Sequence, residues 1–275
     1  MHDAPLDLIL SGGTVVDGTG AGAYSADVGV VDDKIVAIGN LSERRAGRRV
    51  DIQGRVVTPG FVDTHTHDDG ALLIWPAMPM KASQGVTTVV IGNCGVSLAP
   101  LKLAAAPPAP LDQVGGQAHY QFGSFRDYFL RLESEPPAVN VAALVGHMTL
   151  RVATMARLDR AAGTGKESAM AALLEEGLEA GALGISTGLA YGPSAAAPTA
   201  EVFNLVQRVA MHGGIYCTHL RDEGNHVMDG LCEACEVAAR ARIPLVVSHH
   251  KVLGRENFGR SVETLAYLDK VAAAQ

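Results

Sequence analysis

The chain has 275 residues, of which 48% are hydrophobic and 19% charged, and its net charge is −7 with histidine taken as neutral. These values predict one large folded domain, or one domain plus a small satellite, and they argue against disorder and against nucleic acid as a partner. Because no apolar stretch suits a membrane span and no signal peptide opens the chain, we expect a cytoplasmic protein with no membrane partner.

Residues 1–55 predict a small β-sheet segment. Short apolar or alternating runs cover residues 6–10, 14–17, 27–31 and 34–38. The dipeptides between them predict turns, namely Gly12-Gly13, Asp17-Gly18 and Asp32-Asp33. We therefore expect this part of the chain to form a domain of its own.

Residues 56–275 follow a different pattern, in which apolar strands alternate with helices. The predicted strands are 56–63, 86–91, 140–145, 182–186, 214–218 and 243–248. The predicted helices are 124–133, 167–181, 199–212, 223–241 and 261–274, the third opening with a cap at Thr199. This alternation is typical of parallel βαβ units with both faces of the sheet covered, here interrupted by a Pro- and Gly-rich insertion at 95–138.

Six βα units are two fewer than a closed (β/α)8 barrel requires. The pattern alone allows either an open sheet or the first part of a longer barrel. The residues at the strand ends favour the second alternative. The predicted fold class is therefore α/β, an incomplete (β/α)8 (TIM-like) barrel preceded by the small β segment.

Histidine and cysteine side chains stand at the ends of four predicted strands. His65 and His67 follow the first strand, Cys94 the second, His219 the fifth and His249 the sixth. The carboxyl ends of parallel strands meet at one rim of a barrel, and imidazole and thiolate are ligands of zinc. Each residue alone fits an ordinary buried or surface role at least as well. All five together predict one shared zinc site.

Four further groups of residues lie near these strands or in the helices between them. His147 follows the third strand and either contacts a substrate or makes a structural hydrogen bond. Asp63 is expected to hold a ligand imidazole. Cys217 is expected to fill space in the barrel interior. The Cys232-x-x-Cys235 pair lies within a predicted helix and is expected to serve in helix packing rather than in metal or redox chemistry.

The stretch 60–67 (GFVDTHTH) resembles the signature of the amidohydrolase superfamily. Residues 92–100 (GNCGVSLAP), 181–191 (GALGISTGLAY), 218–223 (THLRDE) and 248–251 (SHHK) narrow the resemblance to the N-acyl-D-amino-acid deacylases, also called D-aminoacylases. The resemblance covers nearly the whole chain. It implies a metal-dependent barrel beside a small β-sandwich, and zinc-dependent hydrolysis of N-acyl-D-amino acids to a carboxylate and a D-amino acid.

The resemblance also implies roles for single residues. One tightly held zinc would use Cys94 and His219, and a second, weaker metal position would use His65, His67 and His249. Tyr191 matches a family residue near the side chain of the substrate. The family's catalytic aspartate and its carboxylate-binding arginine match no residue up to 275, so the catalytic residue of this chain stays unknown.

Two alternatives remain open at this point. A cyclic amidase such as a hydantoinase or dihydroorotase would need a bridging lysine near the fourth strand, and residues 182–187 contain none. The other alternative is a catalytically incomplete fragment that binds metal without turnover. Turnover of an N-acyl-D-amino acid by the chain separates it from the deacylase.

Overall fold

The computed structural model describes residues 5–274 and divides them into two compact units, with the boundary after Phe61. The first unit is a five-stranded sheet of β1 (Leu6–Val15), β2 (Tyr24–Val31), β3 (Lys34–Gly39), β4 (Ala46–Asp51) and β5 (Val56–Val57). Four of the strands lie in the order β3-β2-β1-β4, and β5 also pairs with β1. Leu6, Ile9 and Leu41 form its buried core.

The predicted turn at Gly12-Gly13 is wrong, because β1 continues through both glycines with a shift of register between Leu10 and Gly13. A β-bulge, like a turn, often needs a residue with a positive φ, which glycine adopts without strain. Here Gly12 has a φ of +79°. A side chain at Gly13 would meet Ile52, 2.4 Å from the added Cβ. Strand β4 was not predicted because its short, polar sequence lacks alternation.

The second unit contains the strands β6 (Phe61–Asp63), β7 (Val86–Ile91), β8 (Leu101–Lys102), β9 (Gln121–Phe122), β10 (Asn140–Gly146), β11 (Gly184–Gly188), β12 (Ile215–His219) and β13 (Leu245–Val247). Six of them form one sheet in the order β6-β7-β10-β11-β12-β13, and β8 and β9 form a separate pair. In the six-stranded sheet β7, β10, β11, β12 and β13 run parallel. Within residues 5–274, β6 and β13 pair on one side only. The incomplete parallel barrel is thus confirmed.

Helices connect most of these strands. They are α1 (Ala71–Ile74), α2 (Pro79–Ala82), α3 (Phe125–Ser134), α4 (His147–Thr154), α5 (Thr164–Glu179), α6 (Gly192–Ala195), α7 (Thr199–Met211), α8 (Val227–Ala241) and α9 (Ser261–Ala273). The expected cap at Thr199 is wrong, since its hydroxyl donates to Glu233 Oε1 at 2.7 Å and Pro198 precedes the helix. Helix α4 was not predicted, because it follows β10 directly and Gly146 gives no capping side chain.

The segment 56–63 was predicted as one strand, and it contains two. Val56 and Val57 pair with β1, whereas residues 61–63 belong to the barrel sheet. Pro59 lies between them and cannot donate a ladder hydrogen bond, which ends the first pairing. The break leaves the following histidines at the start of the second unit.

The insertion 95–138 is more ordered than a loop. It contains the β8–β9 pair, two 3-10 turns and α3, whose Ser124 hydroxyl accepts a hydrogen bond from the Asp127 N–H at 3.1 Å. Val96, Leu98 and Leu101 of this segment are buried in the main core. Cys217 packs against Val90 and Leu144. This contact agrees with its predicted position in the barrel interior. No helix of the described chain is long and apolar enough to span a membrane.

Candidate metal centre

The five predicted ligands lie together at the carboxyl ends of their strands. Cys94 Sγ lies 3.5 Å from His65 Nε2 and 3.2 Å from His249 Nε2. His219 Nδ1 lies 3.0 Å from His249 Nε2. The rings of His65 and His67 have centroids 5.5 Å apart and stand nearly perpendicular to each other. Residues from four strands therefore point their nitrogen and sulfur atoms at one small volume.

These side chains form two groups that share one atom. His65, His67 and Cys94 make the first group, and Cys94, His219 and His249 make the second. In each group the donor atoms lie within 4.8 Å of one another. The resemblance led us to expect His249 beside His65 and His67. The His249 ring centroid lies 5.0 Å from that of His65, and its donor atom also groups with those of Cys94 and His219. Cys94 Sγ belongs to both groups.

The loop after β7 turns the sulfur of Cys94 into the barrel. Gly92, Cys94 and Gly95 all have positive φ angles, of +76°, +53° and +80°. A non-glycine residue in this conformation is strained and persists where its surroundings hold it. Here the side-chain amide of Asn93 donates to Val90 O at 2.8 Å, and Cys94 itself is 3% exposed.

Burial shifts the pKa values of these groups. Burial, and then the neighbouring imidazoles, lower the pKa of His65 to about 4. Burial and His249 also lower the pKa of His219 to about 4, against the opposing effect of Glu223. Burial, followed by Glu223, raises the pKa of the Cys94 thiol to about 12. His65 and His219 are therefore neutral near neutral pH, each with a free lone pair, and the thiol needs a cation to ionise in that range.

Glu223 was not predicted as part of the site. Its carboxylate is buried and lies 3.4 Å from His219 Nε2 and 3.1 Å from His249 Nδ1. Lys251 Nζ makes a short ion pair with the same group. The sequence had placed Glu223 at the start of a helix, but α8 begins at Val227. The usable signal was its spacing of four residues from His219.

Asp63 does not hold a ligand imidazole, contrary to expectation. Its carboxylate accepts a hydrogen bond from Lys81 Nζ at 2.6 Å and another from the backbone N–H of His65 at 3.3 Å. Lys81 also lies 3.0 Å from Asp68 Oδ2. Among residues 5–274, the buried Nδ1 of His67 has no hydrogen-bond partner. Lys81 therefore connects the two carboxylates that flank the histidine pair, and sequence reasoning gave no hint of it.

Tyr191 and His147 have different surroundings. The Tyr191 hydroxyl lies 3.3 Å from His219 Nδ1, and the two ring centroids are 4.7 Å apart. His147 is fully buried, with Nε2 3.0 Å from Glu201 Oε1 and Nδ1 3.5 Å from Ser194 Oγ. Both ring nitrogens of His147 are thus engaged inside the protein, which favours the structural alternative for this residue.

The remaining candidates lie outside the two groups. Cys235 is buried and Cys232 exposed on α8, and neither belongs to a ligand group of the described residues. His250 Nε2 lies 2.8 Å from the Thr264 hydroxyl, so its ring turns toward α9. Buried Cys235 agrees with the helix packing expected from the sequence, whereas Cys232 is exposed on the same helix.

The comparisons with known proteins point in one direction. Residues 48–263 match the model of the amidohydrolase family. A D-aminoacylase of Alcaligenes xylosoxydans xylosoxydans is 51% identical over 98% of this chain, and the chain spans 56% of that relative's length. The sheet order and helix placement confirm the predicted fold class, since the crystal structure of a D-aminoacylase superimposes with a TM-score of 0.96, at 52% identity, over 98% of this chain and 57% of its own.

A second solved structure carries a ligand. It is N-acyl-D-glutamate deacylase from Bordetella bronchiseptica, complexed with zinc and a phosphonate inhibitor that mimics the tetrahedral intermediate of the reaction. It superimposes with a TM-score of 0.93, at 41% identity, over 98% of this chain and 57% of its own. This chain therefore spans somewhat more than half the length of the proteins it matches.

Proposed function

Because this chain belongs to the amidohydrolase family, we propose that the complete protein hydrolyses the amide bond of N-acyl-D-amino acids, giving a carboxylate and a D-amino acid. The observation that carries the proposal is the convergence of five nitrogen and sulfur donors at one rim, with Cys94 shared between two groups. The similarity to a D-aminoacylase and to an N-acyl-D-glutamate deacylase supports this substrate class.

The side chains fit a metal ion, and we propose zinc. The donors are imidazole nitrogens and one sulfur, the ligand types that zinc prefers. The buried Nδ1 of His67 has no partner within the described chain, which is costly unless a ligand satisfies it. Burial keeps His65 and His219 neutral, as ligands must be. We propose that Cys94, His219 and His249 hold the tighter ion, and that His65 and His67 with Cys94 form a weaker position.

The bound metal would lower the pKa of a water molecule and polarise the amide carbonyl. Tyr191 borders this position beside His219, and we propose that its ring contacts the substrate side chain. Asp63 and Glu223, the carboxylates beside the ligands, are each paired with a lysine. We propose that neither moves the proton in the reaction, and that the general acid and base is the aspartate implied by the resemblance, which matches no residue up to 275.

Zinc content and deacylation of the complete protein test the proposal. Replacement of Cys94 with alanine is expected to remove bound zinc and hydrolysis of N-acetyl-D-methionine together. The matched control is Cys217→Ala, which removes another buried cysteine outside both groups and is expected to retain zinc. Unchanged zinc in Cys94→Ala would sink the metal-site proposal.

Substrate comparison separates the alternatives. The deacylase predicts turnover of N-acetyl-D-methionine and none of hydantoin or dihydroorotate, whereas a cyclic amidase predicts the reverse. Strand β11 contains no lysine, which counts against the cyclic amidase. The 275-residue chain is assayed alongside the complete protein, and zinc binding without turnover there would mark it as a metal-binding part of the enzyme.

A further inference from the structure

We infer that Glu223 is a positioning residue that fixes the tautomers of His219 and His249 in opposite senses, so that both rings present a lone pair to the same point. The inference rests on the metal site of the proposed function. It concerns a residue that neither coordinates the metal nor touches substrate in that proposal.

Each of the two rings has one nitrogen directed toward the metal groups and one directed toward Glu223. His219 points Nδ1 at His249, 3.0 Å away, and has Nε2 3.4 Å from Glu223 Oε2. His249 points Nε2 at Cys94 Sγ, 3.2 Å away, and has Nδ1 3.1 Å from Glu223 Oε1. One carboxylate thus lies against the outer nitrogens of both rings, one oxygen for each.

A neutral imidazole has one N–H and one lone pair, and its partners decide which nitrogen carries the proton. A carboxylate accepts hydrogen bonds only, so it keeps the proton on the nitrogen that faces it. His219 is then protonated at Nε2 and His249 at Nδ1. The lone pairs of His219 Nδ1 and His249 Nε2 both point inward, where a metal ion would take them.

Lys251 competes with this arrangement. Its Nζ lies 3.1 Å from His249 Nδ1 as well as in contact with Glu223. A hydrogen bond from Lys251 to Nδ1 would force the proton onto Nε2 and turn an N–H toward Cys94. Glu223 Oε1 argues for the first arrangement, because it is buried and has no hydrogen bond of its own among the described residues. Accepting the Nδ1 proton satisfies that oxygen.

The backbone around Glu223 holds it in this position. The Leu253 N–H donates to Glu223 O at 2.6 Å, and the Asp222 carboxylate accepts from the Gly224 N–H at 2.7 Å and the His226 N–H at 3.1 Å. These contacts form a tight turn between β12 and α8. The turn carries the carboxylate back under the ring of His219, four residues earlier in the chain.

The tautomers can be observed in the metal-free complete protein by two-bond ¹H–¹⁵N correlation of histidine rings, assigned with His219→Gln and His249→Gln. We expect an Nε2–H ring for His219 and an Nδ1–H ring for His249. In Glu223→Gln we expect His249 to lose this preference. An Nε2–H form of His249 in the unmodified protein would overturn the inference, and this measurement does not depend on whether the variant folds.

Zinc affinity, measured by competition with a chelator, gives the second readout. Glu223→Gln is expected to bind the tighter zinc about 10- to 100-fold more weakly. Glu223→Asp, which keeps the charge, is expected to recover part of that loss. The matched control is Glu175→Gln, which removes a carboxylate 2.7 Å from His212 outside the metal groups and should leave zinc affinity unchanged. Unchanged affinity in Glu223→Gln contradicts the inference.

The two proposals fail in different ways. If Cys94→Ala keeps its zinc, the metal site itself is wrong. If Cys94→Ala loses zinc while Glu223→Gln binds it normally, the site stands and only the role of Glu223 falls. Deacylase activity does not enter either decision.

Discussion

The hydroxyl of Ser186 accepts a hydrogen bond from the backbone N–H of Gly95 at 2.9 Å. The same hydroxyl donates to the carbonyl of Gly92. Ser186 lies on β11, two strands away from β7 in the sheet, and is fully buried. One side chain thus ties down both ends of the loop that presents Cys94.

Replacement of Ser186 with alanine is expected to cost about 2 kcal/mol or more, since it leaves two buried backbone groups without a partner. Zinc affinity should fall as well, because the strained loop at Cys94 loses its support. Urea unfolding and chelator competition measure the two effects. The control is Ser168→Ala, which removes an exposed hydroxyl on α5 and should change stability by less than about 0.5 kcal/mol.

Gly92→Ala should be among the most damaging single changes near the site. An added Cβ would lie 2.0 Å from Leu144 O, a backbone atom, and the φ of +76° is strained for alanine in any case. We expect a loss above about 3 kcal/mol or failure to fold. Gly213→Ala is the matched control, since its φ is +69° with nothing within 4 Å of the added Cβ. It should cost only the backbone strain, about 1–2 kcal/mol. Equal losses in the two variants would refute the steric argument at Gly92.

Lys81→Met should affect one metal group and spare the other. Lys81 joins Asp63 and Asp68 on either side of the His65–His67 pair, and its ion pairs within the described part of the chain do not include His219 or His249. Without it, two carboxylates repel each other and the histidine loop loosens. In a zinc titration we expect the second, weaker zinc ion to bind at least about tenfold more weakly, while the affinity for the tighter zinc ion stays unchanged. Lys166→Met, an exposed lysine on α5, serves as the control. Equal loss of both equivalents would contradict separate support of the two groups.

Arg151→Met should destabilise the barrel without touching the ligands. Arg151 and Glu201 are both fully buried, with a 2.5 Å contact, and Arg151 also donates to the carbonyl oxygens of Pro193 and Arg160. Removal of one partner leaves an uncompensated buried charge, which costs about 3–5 kcal/mol. The double variant Arg151→Met/Glu201→Gln should recover part of this loss. Arg157→Met, which breaks an exposed pair with Asp159, should leave stability nearly unchanged.

The same network predicts how stability depends on acid. Burial alone would raise the pKa of Glu201, but hydrogen bonds from His147 and Arg151 outweigh it and hold the pKa at about 2, against 4.5 as the usual value. The stabilisation is therefore complete above about pH 5 and is lost as the pH falls toward 2, an effect of roughly 3 kcal/mol. As the pH is lowered from 5.5 to 3, the urea concentration at the midpoint of unfolding should fall less steeply in Glu201→Gln than in the unmodified protein. Parallel slopes would show that Glu201 does not carry the effect.

The alternation of strands and helices was predictable because each barrel strand is a short apolar run. Strand β7 matched its predicted bounds, and α8 and α9 ended within one residue of theirs. The break at Pro59 and the strand β4 were missed, because both depend on pairing with β1. Pairing partners distant in sequence leave no local signal.

The candidate ligands were predictable for a similar reason. Histidine and cysteine at strand ends are conspicuous, and parallel strands bring such ends together. Lys81 was not, and Glu223 had only its spacing of four residues from His219 as a signal, since carboxylates and lysines are common on any surface. Their importance comes from burial and from neighbours remote in the chain, and these follow only from the folded arrangement.

Because Cys94 Sγ belongs to both ligand groups, the proposed centre is sensitive to metal ions that bind sulfur. Loss of one imidazole would impair half of the centre, whereas capture of this sulfur would disable the whole of it. Thiophilic cations such as cadmium and mercury seek sulfur more strongly than zinc does. Capture of this one sulfur should therefore be enough to inactivate the centre, with exposed Cys232 taking up a further share of the added ion.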